Sequence, residues 1–131
     1  MTVKIEINEL LKIINQEEYL KVRESNDDNL KKIQRIAPLR KEIENYLSSL
    51  EEYQIDKLIT CYLIGKDISK GLSSPEEYFK RNISKDILFN NLLNNVNSGV
   101  EFKDKEEKIL FFKNNYSNAT NYLETYKKYY S

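Results

Sequence analysis

A chain of 131 residues with one cysteine and no histidine has the length of one domain; it lacks the ligands for a Cys/His zinc site, the partner for an internal disulfide, and the base for Cys–His or Ser–His–Asp catalysis. Lys and Arg number 21, Asp and Glu also 21, and the signs are mixed along the whole length, so no charged tail or basic cluster points to nucleic acid. No apolar run is long enough to span a membrane, and the start, MTVKIEINELL, lacks the basic patch, apolar block and small-residue cleavage site of a signal peptide. A cytoplasmic protein with no membrane partner is therefore expected.

Val3, Ile5 and Ile7 alternate with polar residues, as in a short strand, but Ile7, Leu10, Leu11 and Ile14 fit a helix better. One helix over residues 8–23, with a break near Asn15, is predicted, followed by a loop at 25–28 (SNDD). Leu30, Ile33 and Ile36 begin a second helical pattern. Pro38 interrupts it, so a short turn to Ile36 and a new helix with Pro38 near its first position are expected. Leu39, Ile43, Tyr46 and Leu47 mark the buried face of that helix.

The stretch SLEEYQIDKLITCYLIGKD, residues 49–67, carries a start, an apolar middle and a stop for a central helix. Ser49 with Glu52 reads as a capping box, Ile55, Leu58, Ile59, Tyr62 and Leu63 as the apolar stripe, and Gly65 as a left-handed end. The short link Ser48-Ser49 predicts an antiparallel hairpin of residues 38–47 with 50–64. Cys61, inside the apolar stretch and away from any helix start, reads as an inert structural thiol.

Residues 66–74 read as a loop, and Ser74-Pro75-Glu76-Glu77 as a helix start that brings Tyr78 and Phe79. Ser84 begins another helix, with Ile87, Leu88, Leu92 and Val96 inward and Asn97-Ser98-Gly99 as its end. Asp104 with Glu107 resembles a capping box. Beyond it Ile109, Phe112, Tyr116, Ala119, Leu123, Tyr126 and Tyr130 alternate at spacings of three and four, a heptad seam with weak helix formers near Ser117. The acid pairs Glu76/Glu77 and Glu106/Glu107 sit in first helical turns, where acids suit the dipole, and point apart rather than to one site.

The fold expected from these elements is all-α: a single domain of five to seven helices, with a helical core over residues 1–99 and a long C-terminal helix over 100–131. LSSLEEYQIDKLITCYLIGKD and YFKRNISKDILFNNLL resemble segments of an uncharacterised bacterial helical domain family, which carries Gly-Arg-Gly-Asp after its central helix. Gly65-Lys66-Asp67 stands in that place here, with the arginine replaced and one glycine missing. The resemblance covers about residues 5–97; it implies a helical fold and carries no catalytic residue.

Five of the ten tyrosines fall in the last 16 residues. Tyrosine combines large contact area with a polar tip, so Tyr122, Tyr126, Tyr129 and Tyr130 are the candidate partner-binding residues, with Lys66 and Asp67 as a second turn. Tyr122 and Tyr129 lie beside the seam, and a helix this long is expected to project or lie along an edge. No cofactor, metal or catalytic residue is expected. The expected function is a non-enzymatic protein-binding module, first a toxin-neutralising bacterial immunity protein. The alternatives are a phage-encoded inhibitor of a host defence enzyme and a small enzyme using only Asp, Glu, Lys and Tyr. The partner would be the toxin or defence enzyme, with a second copy of the chain as the other partner considered.

Overall fold

The computed structural model describes residues 3–70 and 85–130, which form six helices and no strand among them. They are α1 (Lys4–Ile14), α2 (Glu17–Glu24), α3 (Asn29–Ser48), α4 (Glu52–Lys70), α5 (Lys85–Asn97) and α6 (Lys105–Tyr130). The expected start at Ser74-Pro75, with Gly71, Glu76/Glu77, Tyr78, Phe79 and Ser84, lies outside the described residues.

The helix reading of the N-terminus holds, and it begins earlier than expected, at Lys4. Val3 and Ile7 are buried while Ile5 is 75% exposed, which is the periodicity of one helical face. The break near Asn15 is real. Its polar groups are used in tertiary contacts: the Asn15 Oδ1 accepts from Thr120 at 3.0 Å, and Gln16 Nε2 donates to Glu42 at 2.5 Å. Asp28 then caps α3, accepting from the Lys31 N–H at 2.9 Å.

Pro38 does not start a helix. It sits inside α3, which runs unbroken from Asn29 to Ser48. The ring removes one donor, and the carbonyl left without it belongs to Gln34, which is exposed and can be solvated. Leu30 and Ile33, expected to face inward, are 67% and 64% exposed.

Two expected signals around α4 are displaced. Ser49 closes α3, its hydroxyl donating to the Tyr46 carbonyl at 2.5 Å, rather than capping α4. The reciprocal bond at the start of α4 is made two residues later, where Gln54 Oε1 accepts from the Glu51 N–H at 2.8 Å. Gly65 does not end the helix either. α4 continues to Lys70, so Lys66 and Asp67 are helical where a loop was expected, and residues 71–74 of that expected loop lie outside the described residues.

Gly65 instead lies against α6. A Cβ there would stand 1.8 Å from the Tyr122 carbonyl oxygen and 2.6 Å from its carbon. The two helices meet backbone to backbone at this point, and only glycine allows it.

α6 is 26 residues long, about 39 Å at 1.5 Å per residue. Contrary to expectation it neither projects nor lies along an edge. It packs on α4 most extensively, and on α3 and α1. Residues in register with it show the directions. Asp56, Gly65 and Ser69 of α4 meet Lys108, Tyr122 and Thr125 in ascending order, so α4 and α6 run parallel. Ser48 and Arg40 of α3 meet Lys105 and Lys113, and Asn15 and Asn8 of the α1 side meet Thr120 and Lys127, so α1 and α3 run antiparallel to it. The expected hairpin of α3 and α4 is therefore antiparallel in sense, and both of its arms pack on α6.

The start of α6 is as read. Asp104 Oδ1 accepts from the Glu107 N–H at 2.9 Å, and Glu107 reaches back to the Lys103 N–H at 2.5 Å. The stretch of weak helix formers near Ser117 gives way at Asn115, with φ −118° and ψ 18°. Asn115 Nδ2 donates to the Phe111 carbonyl at 2.7 Å, a side chain competing with the helix's own ladder, while Arg40 donates to the Lys113 carbonyl at 2.8 Å. At the end of α5, Gly99 takes φ +83°, the left-handed turn that Asn97-Ser98-Gly99 promised.

One apolar cluster joins all six helices. Leu47, Leu58 and Ile59 are fully buried as expected; Leu63 is only half-buried, and Ile64 takes the inner position. Tyr62 is the aromatic hub between α4 and α6, with edge-on contacts to Phe111, Phe112 and Tyr122 at centroid distances of 4.9, 6.1 and 5.1 Å.

Candidate protein-binding surface

The C-terminal tyrosines do not share one environment. Tyr122 is half-buried with its ring against Tyr62 and its backbone against Gly65. Tyr126 stacks on Tyr130, with centroids 4.6 Å apart and planes 21° apart, beside Phe89 of α5 at 6.3 Å. Its inner neighbour is Cys61, and burial holds its phenol above the ordinary value. Tyr129 is half-buried against the core, with the Lys128 ammonium 5.3 Å from its ring centre. Lys85 ties this end to α5, donating to the Tyr129 carbonyl at 2.5 Å.

Beside the Tyr126–Tyr130 stack is a groove of about 560 Å³ between the start of α1, the start of α5 and the end of α6. Ile7, Phe89 and the two tyrosine rings form its apolar part, and Lys4, Asp86, Glu124, Lys127 and Lys128 its charged rim. The heptad spacing of α6 puts Tyr126 and Tyr130 on one face, and α5, running antiparallel, supplies Phe89 opposite Tyr126. Lys127 is already engaged, donating to Asn8 Oδ1 at 2.8 Å. The other rim charges carry both signs, which suits a polar protein surface better than a single small ion.

Lys66 and Asp67 are not part of this groove. Asp67 is two residues past Gly65, about 200° around the helix from the face that meets α6. The structure thus brings Tyr126 and Tyr130 together, places Tyr129 beside them, turns Tyr122 to the core and leaves Lys66 and Asp67 apart.

One charged cluster was not anticipated. Lys108 is 2% exposed and Asp56 1%. The Lys108 Nζ donates to Glu52 Oε2 at 2.9 Å and lies 2.6 Å from Asp56 Oδ1. Lys108 and Asp56 form a buried ion pair. Burial pushes the Asp56 carboxyl above its ordinary value even beside Lys108. Burial alone would lower Lys108, but Asp56 and Glu52 together hold it above its ordinary value. The sequence signal was Glu52, Asp56 and Thr60 at four-residue spacing, polar positions set among Ile55, Leu58 and Ile59; which cation would answer them could not be read from spacing.

Chemically this cluster is closed. A substrate cannot reach groups that are 1–2% exposed, so the charges tie the start of α6 to the start of α4. Among the described residues no group of three or more Asp, Glu or Cys side chains is placed to hold a metal ion. Among the described residues no helix is long and apolar enough to cross a membrane.

Cys61 is fully buried, and burial pushes its thiol up to about 12. At pH 8 the thiolate fraction is then on the order of 10⁻⁴, against roughly a quarter for a free thiol near 8.5. A thiol reagent should label native protein only as fast as the domain opens, and at the rate of a free thiol in denaturant. Complete labelling of native protein within seconds would contradict the buried placement.

No family model, curated protein or solved structure matches this chain.

Proposed function

We propose that the chain is a non-enzymatic protein-binding module, and that it neutralises a partner protein seated on the groove at the end of α6. The observation that carries this reading is the Tyr126–Tyr130 stack bordering a groove of about 560 Å³ with a mixed-charge rim. An aromatic floor inside a polar rim is the layout of a binding hot spot, where a few desolvated rings supply most of the affinity. A bacterial toxin bound by its cytoplasmic immunity protein is the first partner class; a defence enzyme blocked by a phage protein is the second, with the same surface physics. An enzyme built from Asp, Glu, Lys and Tyr is the rival of another class. The acid–lysine set that the fold gathers, Glu52, Asp56 and Lys108, speaks for the binding reading, because its inner members have no access to solvent. The resemblance of residues 5–97 to an uncharacterised helical family fits this proposal and supplies no active site.

The products of the adjacent genes, purified with this chain, provide the test. The complex should lose roughly 30-fold or more in affinity on Tyr130→Ala, the size of a hot-spot loss, and several-fold on Lys128→Glu at the rim. Full affinity in both variants would remove the groove from the interface. Light scattering on the isolated protein distinguishes a second copy as the occupant.

A further inference from the structure

A second groove, of about 530 Å³, lies between α2, the first half of α3 and the middle of α6, where Asn115 kinks the helix. It shares no lining residue with the groove at the end of α6. Ile33 and Ile36 of α3 and Tyr116 of α6 give it apolar walls, and Arg23, Lys32 and Arg40 give it charge; no carboxylate lines it. In a chain of zero net charge, three cations without an acid are a local excess.

Both arginines are held by neutral partners. Arg23 donates to the Ile14 and Tyr19 carbonyls, and its guanidinium carbon is 5.6 Å from the centre of the Tyr116 ring. Arg40 donates to the Lys113 carbonyl at 2.8 Å and to Asn114 Oδ1 at 3.1 Å. These bonds fix the guanidiniums and leave their charge uncancelled. Lys32 is half-buried and makes no ion pair with the described residues. Asp28, one turn earlier, uses its carboxylate to cap the helix at Lys31. Lys32, Ile33, Ile36 and Arg40 recur at helical spacing on one face of α3, and on that face Ile33 is 64% exposed.

We propose that this groove docks an acidic amphipathic segment of a partner protein, with carboxylates on Arg23, Lys32 and Arg40 and an aliphatic side chain on the exposed Ile33, above the buried Ile36. Charge complementarity sets the sign of the occupant, and fixed guanidiniums suit carboxylates. The apolar wall sets the rest. A nucleic-acid backbone would answer the cations and leave Ile33 in water, whereas an acidic helix answers both. The proposal is independent of the reading of the tyrosine groove and stands or falls on different residues.

The test is fluorescence polarisation with three labelled probes: a helix-forming peptide of Glu and Leu, an oligo-aspartate of the same charge, and single-stranded oligo-dT. The Glu/Leu peptide should bind saturably and more tightly than the other two. Lys32→Glu at a half-buried site and Ile33→Asp at an exposed one, with folding of both checked by circular dichroism, should each weaken it by about tenfold or more. Lys12→Glu, the same charge change at an exposed site on α1, should alter it less than about twofold. No saturable binding, equal weakening by Lys12→Glu, or an oligo-aspartate or oligo-dT affinity equal to that of the Glu/Leu peptide would each overturn the assignment.

Discussion

Gly65→Ala should destabilise the domain by on the order of 3 kcal/mol or more, the upper end of what overpacking costs. The added methyl would stand 1.8 Å from the Tyr122 carbonyl oxygen, and the obstacle is backbone rather than a side chain that can swing aside. α4 and α6 would have to separate, and with them the Tyr62 contacts to Phe111, Phe112 and Tyr122. The sign of the change is diagnostic. In a helix interior alanine is worth about 1 kcal/mol more than glycine, so a helix free of this contact would be stabilised. Urea denaturation measures the difference, and a domain of ordinary stability, about 5–15 kcal/mol, would lose a large share of it. Tyr122→Ala should not rescue the variant, because the clash is with main chain. An unchanged or raised midpoint for Gly65→Ala would mean that the two helices do not meet there.

Lys108→Met should cost about 3–5 kcal/mol at pH 8, because it leaves Asp56 buried without its cation. The loss should depend on pH, with a definite sign. Burial already holds the Asp56 carboxyl above its ordinary value, and without Lys108 it rises further. The folded state of the variant then binds a proton more tightly than the unfolded state. Its stability is greatest below the unfolded carboxyl value near 3.9 and falls as pH rises, by about 1.4 kcal/mol per unit, until the folded value is passed. Lys108→Met should therefore be much less damaging at pH 5 than at pH 8. In the wild type, Lys108 is held above its ordinary value, so its contribution is complete below the unfolded lysine value near 10.4 and is lost as pH rises through the folded value. The double variant Asp56→Leu/Lys108→Met replaces the pair by apolar groups, while Glu52, 48% exposed at its side chain, stays solvated. It should recover to within about 1 kcal/mol of the wild type or exceed it, and show no such slope between pH 5 and 8. A loss under about 0.5 kcal/mol for the single variant would place Lys108 at the surface.

Local signals were legible wherever the physics is local. The Asp104–Glu107 cap, the Gly99 stop, the break at Asn15 and the burial of Leu47, Leu58, Ile59 and Cys61 each depend on neighbours within a few residues, and each is found where spacing and residue type put it. The misplaced signals are those with two physical meanings. Gly65 has the composition of a helix stop, but a glycine also permits close approach of another backbone, and α6 supplies that backbone from 57 residues away. Pro38 removes one hydrogen bond, which ends a helix unless packing on both sides outweighs it; Ile36, Leu39 and Ile43 are all buried and carry α3 across. Ser49 could start one helix or finish another, and its hydroxyl finishes α3.

The candidate site divides the same way. The i, i+4 pairing of Tyr126 with Tyr130 was readable from spacing, and the fold keeps it as a stack. Phe89 opposite Tyr126 was not readable, because it requires α5 to run antiparallel to α6. The separation of Lys66 and Asp67 from the tyrosines follows from α4 continuing past Gly65, a tertiary result.

By itself the sequence determined an all-α chain, the cap at Asp104 and the stop at Gly99, most of its inward faces and the absence of histidine chemistry. These follow from periodicity, from side chains that satisfy nearby backbone groups, and from composition. Tertiary structure alone decided that the C-terminal helix is the element on which α1, α3 and α4 pack, that Asp56 is answered by Lys108, and that Gly65 is an interhelical contact. Those outcomes depend on pairings between residues 50 or more positions apart, and a periodic pattern says which face of a helix is buried without saying against what.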